Sequence, residues 1–359
     1  MADQNDEKMT EAEKLCNEIA RCENVMKYFN TMDEAGRKSN PCCDIIESQD
    51  KILNNFQIPE PWAGYIDKAP LLFLGSNPSI DEQNNEKYPI YGNIDNSLQF
   101  EKEDTSKVKL LNFYNKRLND LNEETNQEKK KKKENQEKEK KKALAPYWNE
   151  AKKVAQYLYN DSKIVHGCYY ALSEVVHCKS KKQIGVEKAL NKCSENYLTG
   201  ILQKSPAKVV VVFGDHAKNT LLYLLLNNNL NNQNKDEKQY YKNIILKSNT
   251  YLNLKIIEYK YISYNKKEKN TGNEVKEVII KTEECHSLKE RYFIFSNHPS
   301  SLKWFSDQRG NQLKLQNILY EFFECQKNNE QFLKEIKECL QYEKNKLQNS
   351  GGCNGTSKS

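Results

Sequence analysis

Residues Lys208-Val209-Val210-Val211-Val212-Phe213-Gly214 constrain the fold more than any other stretch of the chain. Four consecutive β-branched residues are stiff at χ1 and fit poorly in a helix. A continuous apolar run without polar alternation predicts a strand covered on both faces, as in a parallel sheet. Three other runs have the same form. Leu71–Leu74 ends at Gly75, Cys168–Leu172 runs on towards Val175 and Val176, and Tyr292–Phe295 is the last. Helical apolar spacing fills the gaps at Trp148–Tyr159, Val186–Leu202 and Leu221–Leu226, with a long amphipathic pattern over Leu313–Leu340 and one N-terminal helix over Glu11–Phe29. Strands alternating with helices predict an α/β fold. The expectation is a three-layer α/β/α arrangement on a central, mainly parallel four-stranded sheet, with low-complexity inserts and a C-terminal helix. Ile244–Ile262 and Val275–Ile280 read as an extra strand pair before the fourth core strand.

Composition marks the inserts. The chain carries 56 Lys+Arg against 50 Asp+Glu, a net of +6. Glu128–Lys142 holds nine Lys and four Glu, so five of the six excess charges lie in that run. The remainder is close to neutral, which excludes a strongly basic core. Glu123–Lys142 and Asn227–Asp236 are too polar to bury a core. The expected organisation is an N-terminal helical region at 1–55, a main domain at 56–310 with inserts at 100–143 and 227–285, a helical extension at 311–349 and a frayed tail at 350–359. No apolar leader follows Met1 and no window approaches 18 apolar residues, so neither a signal peptide nor a membrane span is expected. The eleven cysteines are then expected to be mostly reduced. The Lys-rich run resembles a nuclear signal if the chain is eukaryotic, and is a solvated insert in a prokaryotic cytoplasm.

Each apolar run is followed by an unusual polar loop: Gly75-Ser76-Asn77-Pro78-Ser79, then Glu174 to Ser180, then Gly214-Asp215, then Asn297-His298-Pro299-Ser300-Ser301. Ligands of open α/β sheets bind at the carboxyl ends of strands. At Gly75–Ser79 and Asn297–Leu302 the sequence resembles the uracil-DNA glycosylase superfamily. The first stretch matches a Gly-x-Asp/Asn/Glu/Ala-Pro motif after the first core strand, and His298-Pro299-Ser300 matches a second motif after the last. Ser173 to Cys178, Cys193, Pro206, Val209–Gly214 and Ala217 resemble the iron–sulfur branch of prokaryotes. Phe56-Gln57-Ile58-Pro59-Glu60-Pro61-Trp62-Ala63-Gly64 resembles the lead-in of an uncharacterised group within it.

The resemblance implies a DNA base glycosylase of base excision repair, acting as a monomer on a flipped base. Such cleavage needs a water below the sugar and a donor aimed at the base oxygen. Asn77 stands at the water-positioning place and His298 at the donor place. An amide orients water by hydrogen bonding but is a poor base, and a neutral imidazole N–H stabilises an anionic base. Gly75, Ser76 and Pro78 shape the first loop. Ser79 and Ser300 are candidates to hold phosphates, Leu302 to wedge into the duplex, and Tyr88 or Tyr91 to stack on the base, with a core position the equal alternative for both tyrosines. Glu174 departs from the pattern, because it stands where an Asn would read uracil. An ionised Glu only accepts hydrogen bonds and repels a carbonyl oxygen. Either the base is not uracil, or another residue reads it, or the chain does not cut DNA.

Cys178 and Cys193 are separated by 14 residues, close to the branch's spacing for two cluster ligands. The resemblance implies two more from the N-terminal region: Cys22 and one of Cys42 or Cys43, with Cys43 first and Cys16 a further candidate. Four thiolates would hold a [4Fe–4S] cluster. A mononuclear zinc and plain structural cysteines are the rivals. Two readings of function stand: a DNA base glycosylase, and a non-catalytic nucleic-acid-binding protein of the same fold. A small-molecule hydrolase lacks a Gly-x-Ser-x-Gly elbow or a P-loop. Deleting 123–142 is expected to weaken general DNA affinity and its salt dependence, leaving base selectivity intact. Filter binding across a salt series, run beside a base-selectivity assay, checks this.

Overall fold

The computed structural model describes residues 9–80, 88–92, 110–118, 146–230, 253–257, 260–264, 291–296 and 330–351. Among the described residues, seven strands form one mixed sheet: β1 (Trp62–Ala63), β2 (Leu71–Gly75), β3 (Tyr170–Glu174), β4 (Val209–Phe213), β5 (Asn253–Ile257), β6 (Lys260–Tyr264) and β7 (Tyr292–Ser296). Their order is β1-β3-β2-β4-β7-β5-β6. The α/β class expected from the sequence is observed, but the sheet has seven strands rather than four. The four apolar runs form its parallel centre, β3-β2-β4-β7, while β1 and the β5–β6 pair join antiparallel at the two sides. The inserted pair spans Asn253–Tyr264; Val275–Ile280 lies outside the described residues.

Period-two alternation divides the strand residues between two cores. Leu72, Leu74, Ala171, Val210, Val212 and Phe293 face the N-terminal helices α1 (Glu11–Ala20), α2 (Glu23–Asn30) and α4 (Cys43–Gln49), the helix Val186–Cys193 and the helix Asp215–Leu230. Leu71, Phe73, Leu172, Val209, Val211 and Ile294 face the helix Pro146–Tyr159 and the helix Glu330–Asn349. The sheet is therefore covered on both faces, which the unbroken Val run requires. Phe73 and Phe213 stack at 5.6 Å between ring centroids, with Tyr170 edge-on to Phe73.

The single helix expected over Glu11–Phe29 is two. Arg21 and Cys22 break it: Cys22 adopts φ −41°, ψ 120° and starts α2 (α3 is Glu34–Lys38). No Gly or Pro marks the break, and the Cys22 side chain at it is buried. The stretch Val186–Leu202 is helical but widens into a π turn over Ser194–Leu198 before Thr199–Lys204.

In the order of the parallel centre, the first core strand, β2, lies between the second, β3, and the third, β4. Connections after β2 and β4 leave towards opposite sides, which makes the β2/β4 boundary the switch point where α/β sheets open a crevice. The loop Gly75–Ser79 leaves the sheet there. Phe73→Ala is expected to cost about 3–5 kcal/mol of stability, measured by urea unfolding.

Candidate functional site at the carboxyl edge of the sheet

The loops that follow β2 and β3 run side by side beyond the strands. Gly75 pairs in register with Glu174. The Val175 and Val176 N–H groups donate to the Gly75 and Ser76 carbonyls at 3.0 Å each, and Ser180 N–H donates to the Pro78 carbonyl at 3.1 Å. Ser79 and Ser180 form a parallel bridge. This zipper holds Asn77 in one orientation. Its Nδ2 donates to the Pro78 carbonyl at 3.0 Å and to Ser180 Oγ at 3.1 Å. Nδ2 is thereby committed to two acceptors, which leaves Oδ1 as the acceptor of the amide. Ser76 and Pro78 are buried, and Ser79 is exposed.

Glu60, from the Pro59-Glu60-Pro61 lead-in, is buried beside this loop pair. Its Oε1 accepts from Arg117 Nε at 2.8 Å, and its Oε2 meets Lys179 Nζ at 2.8 Å. All three side chains are at most 7% exposed. Lys179 also donates to the Ser79 carbonyl at 3.3 Å and lies 3.9 Å above the Tyr88 ring. Arg117 stacks over Tyr88, Phe113 and Trp148. Burial acts most strongly on Glu60 and raises its pKa, but the two cations outweigh it and hold the carboxyl below its usual range. Removing one partner leaves a buried unpaired charge.

Glu174 is built differently. Its Oε2 is buried with no hydrogen-bond partner. Burial chiefly, then the Glu60 charge, push its pKa well up, and Lys179 only partly opposes them. The carboxyl leans over Gly75: a Cβ there would fall on the Glu174 oxygens. A larger residue at position 75 would have to displace the Glu174 carboxyl. Glu174 is on the sheet face covered by the helix Pro146–Tyr159, and the Tyr147 phenol feels its charge.

On the other face, four thiols converge. Cys22 sits at the N-terminus of α2, Cys42 at the N-terminus of α4, Cys178 in the loop after β3, and Cys193 where its helix enters the π turn. All are buried. Cys178 hydrogen-bonds with Cys22 and Cys42, and Cys193 feels the charges of Cys22 and Cys42. The Cys22 thiol is drawn down to about 6, chiefly by the Cys178 hydrogen bond; burial opposes, and Tyr197 and the Val25 and Asn24 N–H groups assist. His177 N–H points at Cys193 Sγ at 3.5 Å. Donors aimed at sulfur favour thiolates. Cys43 is not in the group, since its Sγ turns to Glu47 Oε1 at 3.5 Å. Cys42 takes the place expected of Cys43. Among the described residues, no group of three or more His, Cys, Asp or Glu is arranged to hold a single metal ion. Cys168 is disulfide-bonded, while the seven other cysteines among the described residues are free thiols, in keeping with the expectation of mostly reduced cysteines.

Tyr88 and Tyr91 are core residues. The Tyr88 hydroxyl donates to the Ile58 carbonyl at 3.1 Å and the Tyr91 hydroxyl to the Ala20 carbonyl at 2.7 Å. Neither ring is open for stacking on a base. His298, Ser300 and Leu302 lie outside the described residues, as does the Lys-rich run. Sequence reasoning missed Glu60, Arg117, Lys179 and Ser180. A carboxylate between two prolines, with Ile58 and Trp62 flanking, was the available signal for Glu60.

No protein-family model matches the chain, and no curated protein matches it. Among the described residues, no helix is long and apolar enough to cross a membrane.

Lys179→Met is expected to lose about 3–5 kcal/mol of unfolding free energy. The Glu60 contribution is present above the unfolded carboxylate pKa of about 4.3 and disappears as pH falls through its lower folded value, so the deficit of the variant shrinks in acid. Denaturant titrations at several pH values test both. Glu174 has the opposite sign. Its raised pKa costs stability once pH exceeds the unfolded value, so Glu174→Gln is expected to raise the neutral-pH melting temperature, with the gain vanishing below about pH 4. Calorimetry across pH reads it.

Proposed function

We propose that the carboxyl edge of the sheet is a base-excision site and that the chain is a DNA base glycosylase, hydrolysing the N-glycosidic bond of a damaged or deaminated base. The observation that carries this reading is the locked Asn77 amide. Its donors are tied to Pro78 and Ser180, so the open carbonyl oxygen accepts from a water and aims that water's lone pair. A side chain with no proton-accepting capacity suits a dissociative cleavage, where the sugar cation forms before the water adds. Water oxygen joins C1′, the C1′–N electron pair leaves with the base, and the released proton goes to solvent or to the base.

The position of Asn77 at the strand-order switch point supports the same reading. So does the sequence after β7: its last residue is Ser296, and Asn297 and His298 follow directly. His298 is assigned as the donor to the departing base, the exposed Ser79 as a phosphate contact, and DNA as the partner. The excised base is read out by incubating the protein with oligonucleotides that carry uracil, hypoxanthine or xanthine, then cleaving abasic sites with alkali. His298→Ala is expected to lose on the order of 10²–10³-fold in rate, the usual effect of removing a preorganised donor, and Asn77→Ala to be impaired as well. Wild type and both variants behaving alike overturns the enzyme reading. Retention of DNA with no abasic sites would instead fit a non-catalytic nucleic-acid-binding protein of this fold.

The four buried thiols of Cys22, Cys42, Cys178 and Cys193 fit a [4Fe–4S] cluster in number and donor chemistry. The group would be structural here, tying α2 and α4 to the loop after β3, and the cleavage needs no electron from it. Anaerobically purified protein is expected to hold about four iron and four sulfide per chain. Cys42→Ala should lose them and Cys43→Ala keep them. Iron-free protein, or one zinc, rejects the cluster.

A further inference from the structure

We infer that Cys168 is joined to Cys353, and that this disulfide is a redox-sensitive clasp holding the helix Glu330–Asn349 against the start of β3. The inference is independent of the glycosylase reading. Cys168 is disulfide-bonded, and the seven other cysteines among the described residues are free. The chain has eleven cysteines, so the partner is Cys285, Cys325 or Cys353. All three lie outside the described residues. Cys339, on the helix itself, is one of the free thiols. The tie therefore comes from beyond the helix body.

The end of that helix decides among the three. Disulfide-bonded residues hold their Cα atoms about 4.4–6.8 Å apart. The last turns of the helix lie on the segment that carries Cys168. Lys344 Nζ pairs with Asp161 Oδ2 at 2.6 Å, and Gln348 Nε2 donates to the Tyr169 hydroxyl at 2.9 Å. Lys344 also stands 5.7 Å above the Tyr169 ring. The helix then closes in a turn. Ser350 N–H donates to the Lys346 carbonyl at 3.0 Å, Gly351 N–H donates to the Gln348 carbonyl at 3.2 Å, and Gly351 takes a φ of 67°. Cys353 follows two residues later, which is about 7 Å of chain at most. Cys325 precedes the other end of the helix, and Glu330 there is about 27 Å along the axis from Gln348. Near that end Glu335 accepts from the Tyr292 hydroxyl of β7 at 3.2 Å. Cys285 precedes Arg291 at the start of β7. In the sheet β7 is separated from β3 by β2 and β4, a distance of about 14 Å. A link from Cys285 has to cross the starts of both strands, whereas Cys353 starts from beside Tyr169.

The clasp holds the cover of the second core. Ile336 and Leu340 of the helix are fully buried in that core, beside Tyr159, Ile164 and Tyr169. A cross-link between positions far apart in the chain constrains the open state strongly, the more so the longer the loop it closes. One disulfide among free thiols is a redox-responsive bond and not part of a disulfide framework. Opening is thiol–disulfide exchange with an external dithiol. Cys168 is buried, so the attacking thiolate meets the Cys353 sulfur. The S–S bond breaks, and Cys168 leaves as a thiolate and takes up a proton. The second thiol of the reductant then attacks the mixed disulfide and frees Cys353. Two cysteine thiols are formed, and the dithiol is oxidised to its own disulfide.

The pairing is tested on the full chain by capping its free thiols, digesting it without reduction and reading the peptides by mass spectrometry. A peptide linking Cys168 to Cys353 is expected. Capped Cys168, or Cys168 linked to Cys285 or Cys325, overturns the pairing. The clasp is tested by amide hydrogen exchange over residues 330–349 with and without dithiothreitol. Reduction is expected to speed exchange in the last turns of the helix on the order of 10-fold or more, in line with what a long-loop disulfide contributes, and to leave β4 unchanged. Cys353→Ser is expected to exchange at the fast rate with or without the reductant. Cys339→Ser is expected to respond as wild type does. A wild-type helix that exchanges as slowly after reduction as before overturns the clasp, and so does a reductant response that survives in Cys353→Ser. If Cys353→Ser does not fold, the wild-type peptide map and the wild-type exchange with and without dithiothreitol decide on their own.

Discussion

The arrangement at the carboxyl edge depends on one buried carboxylate. Glu60 is held between Arg117 and Lys179 at 2.8 Å on each side. The three residues come from separate parts of the chain: the lead-in before β1, the helix 110–118 and the loop after β3. Desolvating three charges is expensive, and the geometry offsets it only because every partner is present. The aromatic faces of Tyr88, Phe113 and Trp148 around the two cations add to the offset. The pairing fixes Lys179, which in turn holds the Ser79 carbonyl. After burial, the Glu60 charge is the next cause that pushes the Glu174 carboxyl pKa up.

The two sites share a segment of chain. Glu174 through Ser180 passes from the buried Glu174 carboxyl, through His177 and Cys178, to the Ser180 hydroxyl that accepts from Asn77. A change in the thiol group therefore has a short covalent route to the Asn77 amide. His177 ties the segment to the lead-in as well, its backbone carbonyl accepting from Glu60 N–H at 2.8 Å and its Nδ1 meeting the Glu60 carbonyl at 2.9 Å. Loops built this way lose little entropy on binding, since their backbone groups are already paired.

Several elements were readable from local pattern. The Val209–Val212 run named its own strand, because β-branched residues in unbroken sequence have few other uses. Gly75 and Gly214 marked the strand ends, and Gly214 has the positive φ of 84° that its turn demands. The break at Cys22 was not readable, since nothing in Ala20-Arg21-Cys22 opposes a helix locally. The choice of Cys42 over Cys43 was not readable either. Adjacent residues on one helix start point about 100° apart, and only packing decides which faces inward. Tyr91 could have been surface or core on equal terms, and a hydrogen bond to Ala20 from a distant helix placed it in the core.

The sequence by itself determined the α/β class, the four parallel strands and the loops at their carboxyl ends, because hydrophobic periodicity and Gly or Pro punctuation act over a few residues. Tertiary structure decided which groups meet and in what ionic form. It paired Glu60 with two cations, tied the Asn77 amide nitrogen to Pro78 and Ser180, and drew Cys42 rather than Cys43 towards Cys178. Burial, and then the Glu60 charge, also pushed the Glu174 carboxyl pKa up. Burial and neighbouring charge set a protonation state, and neither is written in the residue's own name or in those beside it in the chain.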